Sequence, residues 1–331
     1  MPLRAASLRF PCERVLLART KLAYVHVRNL LTDAKRDRAG RVYGYVAIWL
    51  PEEFLVLYIR AGEVVNAMAL DDEGYRALSI ADAVDLVPAE PEFGEICFHE
   101  ASDRQLACMH FSQMEEPTAW PAELDPTDPE ALFAHLGATT FDGMLEIVDD
   151  GAIHYVTLRD GLVEHCFLGC GTAKTDEPEV LRARRPFSES ADRKKLGVFR
   201  WPVPPPLPVQ ANPSLIRAYR ELTHALVGRL VEGGNPGAPK VAEYAREALV
   251  PDHPCLACFS ALSPAPDLHD PVVDAEALTA AVAQWVQEII LAAVDLDTTR
   301  PEEILRSVTH ERRRAFQSAG FFQRLPWPIT W

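Results

Sequence analysis

A stretch from Gly44 to Met68, GYVAIWLPEEFLVLYIRAGEVVNAM, returns 99 residues later as Gly143 to Phe167, GMLEIVDDGAIHYVTLRDGLVEHCF. Each copy reads as three short strands joined by two tight turns. At this offset Gly44 meets Gly143, Ile48 meets Ile147, Arg60 meets Arg159, Gly62 meets Gly161 and Val64 meets Val163. The turns fall at the same places in both copies. Asp149-Asp150-Gly151 and Asp160-Gly161 carry the Asp-Gly hairpin signal. In the first copy Pro51-Glu52-Glu53 makes a turn that needs no positive φ, and Arg60-Ala61-Gly62-Glu63 leads into the third strand. The middle strand, Phe54 to Ile59, is apolar throughout, which suits a strand covered on both faces. His154 and Thr157 replace Leu55 and Tyr58 in the second copy. The second copy is therefore expected to be less fully covered, and His154 is a candidate contact residue.

Around the repeats the pattern is mixed. Residues 14–36 place leucines near a helical period, broken by the poor helix formers Val25, His26 and Val27. Glu73 to Val87 reads as a short amphipathic helix. Phe93 to Phe98 and Gln105 to Phe111 read as strands. Asp128-Pro129-Glu130 starts a short helix ending near Gly137. Residues 172–195 read as polar and irregular, and Leu196 to Trp201 as a closing strand. From Trp201 to Pro213, six prolines in thirteen residues favour a stiff extended connector. Asn212-Pro213 caps a helix running to about Gly233, followed by helices near 238–249, 274–294 and 301–318. The 274–294 segment is apolar around much of its circumference and is expected at the centre of a helical bundle. The terminal FFQRLPWPITW carries four bulky aromatics, so it should pack on that bundle or on a partner, with Trp327 and Trp331 as candidate contacts.

The expected fold class is α+β. Two related antiparallel β-meander domains with flanking helices occupy 1–114 and 115–201. A proline-rich connector follows over 202–213, then a helical domain over 214–331.

Net charge is −15, unevenly spread. Residues 1–42 carry ten Lys/Arg against three acids, while 71–150 carry twenty acids against Arg76 and Arg104. An acidic body repels nucleic acid, so only the basic segment could touch phosphates, and pairing between the two segments explains the pattern more simply. No apolar run has the roughly 18 to 20 residues that a membrane span needs, and the N-terminus has no secretory h-region. Seven cysteines without regular spacing argue against a disulfide framework. These features point to a cytoplasmic chain with reduced thiols.

The repeated pattern of a helix, G-x-L/V-x-I, a turn, an apolar strand ending in a small residue and Gly, then an apolar-V-x-A/C step, resembles the PatA N-terminal type domain of bacterial signalling proteins, also labelled DUF4388. Its carriers are Gly44, Val46, Ile48, Gly62, Val64 and Ala67, then Gly94 and Phe98, and in the second copy Gly143, Leu145, Ile147, Gly161, Val163 and Cys166. The resemblance covers about 14–113 well and 128–201 poorly, and leaves out the helical region. It implies a non-catalytic module that binds other signalling proteins.

Few residues suggest chemistry. Cys255-Leu-Ala-Cys258 lacks the strand-to-helix setting of a redox motif. With Cys166, Cys170 and His165 it could complete a zinc set, although Cys166 falls one repeat after Ala67, where a small buried side chain is wanted. Gly169-Cys-Gly171-Thr-Ala-Lys174-Thr175 lacks the last glycine of a phosphate loop, and neither G-x-S-x-G nor HExxH occurs. The leading expectation is a non-enzymatic signalling or scaffold protein that uses no cofactor and binds partner proteins, a second copy of itself among the candidates. Arg28, Arg36 and Arg38 join His154, Trp327 and Trp331 as candidate interface residues. The alternative is an enzyme or a small-molecule or metal-binding protein with its site between the β-rich part and the helical bundle.

Overall fold

The computed structural model describes residues 7–36, 42–169, 177–263, 269–293 and 300–331. The fold is α+β. The strands are β1 (Arg14–Lys21), β2 (Gly44–Trp49), β3 (Phe54–Arg60), β4 (Glu63–Asp71), β5 (Gly74–Leu78), β6 (Glu95–Glu100), β7 (Gly143–Asp149), β8 (Ala152–Arg159), β9 (Leu162–Phe167) and β10 (Gly197–Trp201). The first five helices are α1 (Val27–Arg36), α2 (Ile80–Asp85), α3 (Asp103–Met114), α4 (Pro129–Ala138) and α5 (Glu179–Glu189). Then come α6 (Pro213–Glu232), α7 (Ala238–Leu249), α8 (Ala275–Ala293), α9 (Pro301–Thr309) and α10 (Arg313–Ser318). The chain separates into two compact units, Met1–Ala77 with Leu86–Leu207, and Leu78–Asp85 with Pro208–Trp331. Both sheets fall in the first unit.

The six-stranded sheet runs β1-β6-β2-β3-β4-β5 and the four-stranded sheet β10-β7-β8-β9. The orders β6-β2-β3-β4 and β10-β7-β8-β9 correspond, each with a late strand inserted beside the first. The correspondence extends to details. The Gly62 amide donates to the Val42 carbonyl at 2.8 Å, and Gly161 to Phe141 at 3.0 Å. Ala61 and Gly62 turn at φ 52° and 81°, Asp160 and Gly161 at 51° and 74°. The register slips between Tyr58 and Ile59 in one sheet and between Thr157 and Leu158 in the other. At Gly44 an added Cβ would collide with the His99 carbonyl of β6, and at Gly143 with the Trp201 carbonyl of β10. Only glycine lets the late strand close that tightly.

Several local expectations are corrected. Residues 14–21 form the exposed edge strand β1, because β6 offers an unpaired ladder and cross-strand charges fix the pairing: Arg14 Nε meets Glu100 at 2.7 Å and Arg19 Nε meets Glu95 at 2.6 Å. A short 3-10 turn, Leu22–Tyr24, follows β1, and α-helix begins only at Val27. The expected helix over 73–87 divides into β5 and the short α2, with the Ser79 hydroxyl capping the Asp82 amide at 3.0 Å. Residues 103–114 are helical rather than extended, capped by Ser102, whose hydroxyl accepts from the Gln105 amide. Within 172–195, the part expected to be irregular contains α5, which buries Ala183 and Phe187. The second copy is less covered than the first in its outer strands, β7 and β9 against β2 and β4, but its middle strand is not. Every residue of β8 but Arg159 is buried, His154 and Thr157 included.

In the second unit α6, α7, α8 and α9 share one apolar core. Asn212 caps α6 by accepting from the Leu215 amide at 2.8 Å. Trp285 of α8 is fully buried and donates its indole N–H to the Ala242 carbonyl at 2.9 Å. The aromatic tail packs on this core through Phe321, with Phe322 and Trp327 beside it. Arg220 of α6 lies buried against Asp270 at 2.7 Å and donates to the Cys258 and His269 carbonyls.

Two outcomes follow for stability measured by urea unfolding. Gly44→Ala and Gly143→Ala should each destabilise by roughly 1–3 kcal/mol through overpacking, whereas Gly228→Ala, in α6 with nothing within 4 Å of a new Cβ, should stabilise by roughly 0.5–1 kcal/mol. Asp270→Ala should cost about 3–5 kcal/mol, because it strands the buried Arg220 charge.

Candidate cleft on the second sheet

Alternation along β7 sends Leu145 and Ile147 into the core beneath α4 and α5, and turns Met144, Glu146 and Val148 to the opposite face. Register with β10 sets Phe199 beside Glu146, Gly197 beside Val148 and Trp201 beside Met144. Over this face lies a cleft of about 760 Å³, floored by Val148, Phe199 and Trp201 and walled by Pro117, Ala191 and the carboxylates of Asp149, Asp150 and Asp192. That volume suits a small molecule or one or two side chains of a partner. Trp201 is buried, with its indole N–H on the Glu115 carbonyl at 3.3 Å, while Phe199 keeps 39% exposure.

The outer edge of β10 is stoppered. The Trp120 indole donates to the Val198 carbonyl at 2.8 Å, and the Thr118 amide donates to the Arg200 carbonyl at 2.8 Å. The Arg200 guanidinium lies over the Trp120 ring, 4.8 Å from its centroid. What the strand presents is therefore its face.

Glu146 stands in the cleft lining, half-buried, between Ser112 of α3 and Tyr155 of β8, whose hydroxyls are 3.1 Å apart. Burial pushes its carboxyl up to about 7, against the pull of hydrogen bonds from Ser112 and Tyr155. Burial, with the Glu146 charge second, holds the Tyr155 phenol well above its usual range. Further polar groups on the inner side continue from α3: the Tyr58 hydroxyl donates to Gln113 Oε1 at 2.8 Å. Near neutral pH Glu146 is thus divided between a hydrogen-bond-donating acid and an acceptor anion. The rim acids are held in place. Asp149 accepts from the Ser190 hydroxyl at 3.1 Å, and Asp192 accepts from the Lys194 amide at 3.2 Å and meets Lys195 Nζ at 3.5 Å.

The residues expected from sequence lie elsewhere. Cys166 is buried in the core under α5, its thiol pushed up to about 12 by burial, and serves as a small packing residue. Cys255 and Cys258 are half-buried on the turn Pro254–Cys258, both thiols raised by burial. Cys170 and Arg38 lie outside the described residues, and Arg36 closes α1. Among the described residues no group of three or more His, Cys, Asp or Glu could hold a metal ion. His154 is corrected as a contact residue: it is 5% exposed, accepts from the Gly169 amide at 3.2 Å, and is lowered to about 4 by burial. Arg28 is exposed on α1. Trp327 is half-buried, and Trp331 is 42% exposed under the Arg313 guanidinium, 4.5 Å from the ring centroid.

Glu146, Phe199 and Trp201 were missed as a set. The signal for Glu146 was present, since it occupies the position of Ala47 in the first copy. A carboxylate inside an apolar strand demands an explanation.

The pH dependence of stability tests the environment of Glu146. Its folded pKa, about 7, exceeds the ordinary 4.5, so its stabilising contribution is complete below 4.5 and lost as pH rises through 7. His110 and His154, lowered to about 4, act in the opposite sense, losing stability as pH falls from 6.5. The difference between wild type and Glu146→Gln isolates the carboxyl. Wild type should lose on the order of 3 kcal/mol relative to the variant between pH 4.5 and 7, read from urea midpoints at half-unit steps.

Among the described residues no helix is long and apolar enough to cross a membrane. Compared with protein-family models, with curated proteins and with solved structures, the chain matches none.

Proposed function

We propose that this chain is a non-catalytic interaction protein of bacterial cytoplasmic signalling, built on two copies of one β-meander, with the cleft on the second sheet as its contact site. The observation that carries this reading is Phe199, an aromatic side chain left 39% exposed in a concave, mostly apolar site beside buried Trp201. The PatA-type resemblance carried by Gly44, Gly62, Gly143 and Gly161 supports a signalling role. The matched turns and register slips support the two-copy reading. The role calls for no cofactor.

A second reading is a small-molecule site or an enzyme, favoured by Glu146. An acid titrating near neutrality, in hydrogen-bond reach of a tyrosine and a serine, is the kind of group that general acid catalysis uses.

Affinity capture from the native cell lysate, comparing wild type with Phe199→Ala, separates the two. The interaction reading expects a reproducible partner protein whose recovery falls at least tenfold with the variant, at an unchanged melting temperature. Equal recovery by both proteins counts against the cleft. Recovery of no protein partner, together with a small molecule co-purifying with wild type alone, moves the assignment to the second reading.

A further inference from the structure

We propose that the cleft receives a basic segment of a partner protein, in which an aromatic or branched apolar side chain sits next to a lysine or arginine. The inference rests on the interaction reading above and names the chemistry of its partner.

The floor sets the apolar half of the recognition. Phe199, 39% exposed beside the buried Val148 and Trp201, offers the surface that an incoming apolar side chain can cover. The walls set the charge. Asp149, Asp150 and Asp192 line the cleft with one lining ammonium, Lys195, which already faces Asp192 at 3.5 Å, and the Arg9 guanidinium rests on the Asp150 carbonyl at 3.2 Å. Asp149 is fixed by Ser190 and Asp192 by the turn it caps, so their carboxylates are preorganised for a cation rather than free to swing away. The exposed Phe199 ring reinforces the preference, since ring faces attract ammonium and guanidinium groups. At long range the net charge of −15 steers basic segments towards the chain and repels acidic ones.

The edge of β10 decides how such a segment is read. Trp120 and Thr118 already hold the Val198 and Arg200 carbonyls, so an incoming strand finds those two acceptors taken. Recognition falls to side chains entering the face, and the apolar-basic pairing is the readable feature. Continuous chain, rather than a free amine, suits a cleft whose floor and charged rim engage neighbouring side chains at once.

A display library of random twelve-residue peptides, selected on the full-length chain with counter-selection on Phe199→Ala, tests this without presupposing a sequence. The enriched peptides should pair an aromatic or branched apolar residue with an adjacent lysine or arginine. A fluorescein-labelled winner, titrated by anisotropy, should bind the Asp149→Asn, Asp192→Asn double variant at least tenfold more weakly than wild type. Its counterpart with glutamate at the basic positions should lose at least as much. Melting curves establish that both variants are folded. Enrichment of neutral or acidic peptides that still depend on Phe199 overturns the charge assignment and leaves the interaction reading standing. Failure to enrich any Phe199-dependent peptide overturns this inference; with unchanged partner capture by Phe199→Ala, the interaction reading falls too. Phenethylammonium chloride, added as competitor, supplies the last arm: displacement at concentrations comparable with the peptide would make a small organic cation the occupant and overturn the peptide assignment.

Discussion

Each sheet is closed by a strand that arrives late in the chain and passes its carbonyl across a glycine. β6 crosses Gly44 and β10 crosses Gly143, and in both places a Cβ would occupy the space of a backbone oxygen. This close approach fixes which strand neighbours the first strand of each meander, and the pleat then decides which side chains share a face. In the second sheet it is what sets Phe199 and Trp201 beside Glu146 and Met144. The cleft floor is therefore a consequence of sheet closure, not of any loop.

Much of this was legible in the residues. Turn chemistry gave the hairpins at Ala61-Gly62 and Asp160-Gly161, because those backbones need left-handed φ and the sequence supplies residues that tolerate it. Asn212-Pro213 and Asp128-Pro129 marked helix starts for equally local reasons. The failures have physical causes. Residues 14–21 lean towards helix in isolation, and only the free ladder of β6 makes them a strand. Ser102 and Gln105 have the spacing of a capping box, so α3 was readable from its cap, but the apolar run from Leu106 to Phe111 masked it. Thr157 and His154 looked like surface residues because burial of a polar side chain depends on partners the local sequence does not name. The cleft itself joins β7, β10 and the segments around Pro117 and Asp192, and no local pattern announces that meeting.

Charge is used differently in the two units. In the first, the basic N-terminal segment meets the acidic body across a strand pair, Arg14 with Glu100 and Arg19 with Glu95, and Arg19 also lies 4.0 Å over the Trp49 ring. These are exposed pairs that set register more than they add stability. In the second unit Arg220 is buried, and its guanidinium gathers Asp270 and two backbone carbonyls around one point. A desolvated cation of this kind fixes the segment at 269–270 because every alternative position leaves it uncompensated.

The two carbonyls of β10 that Trp120 and Thr118 occupy have a consequence beyond recognition. A sheet ending in unclaimed acceptors is a template on which unfolded chains can grow, and crowded synthesis supplies such chains continuously. Here the terminal strand carries its own stopper, contributed by a segment made before it. By the time β10 leaves the ribosome its cover has already been translated, so the interval in which the edge could seed aggregation is short.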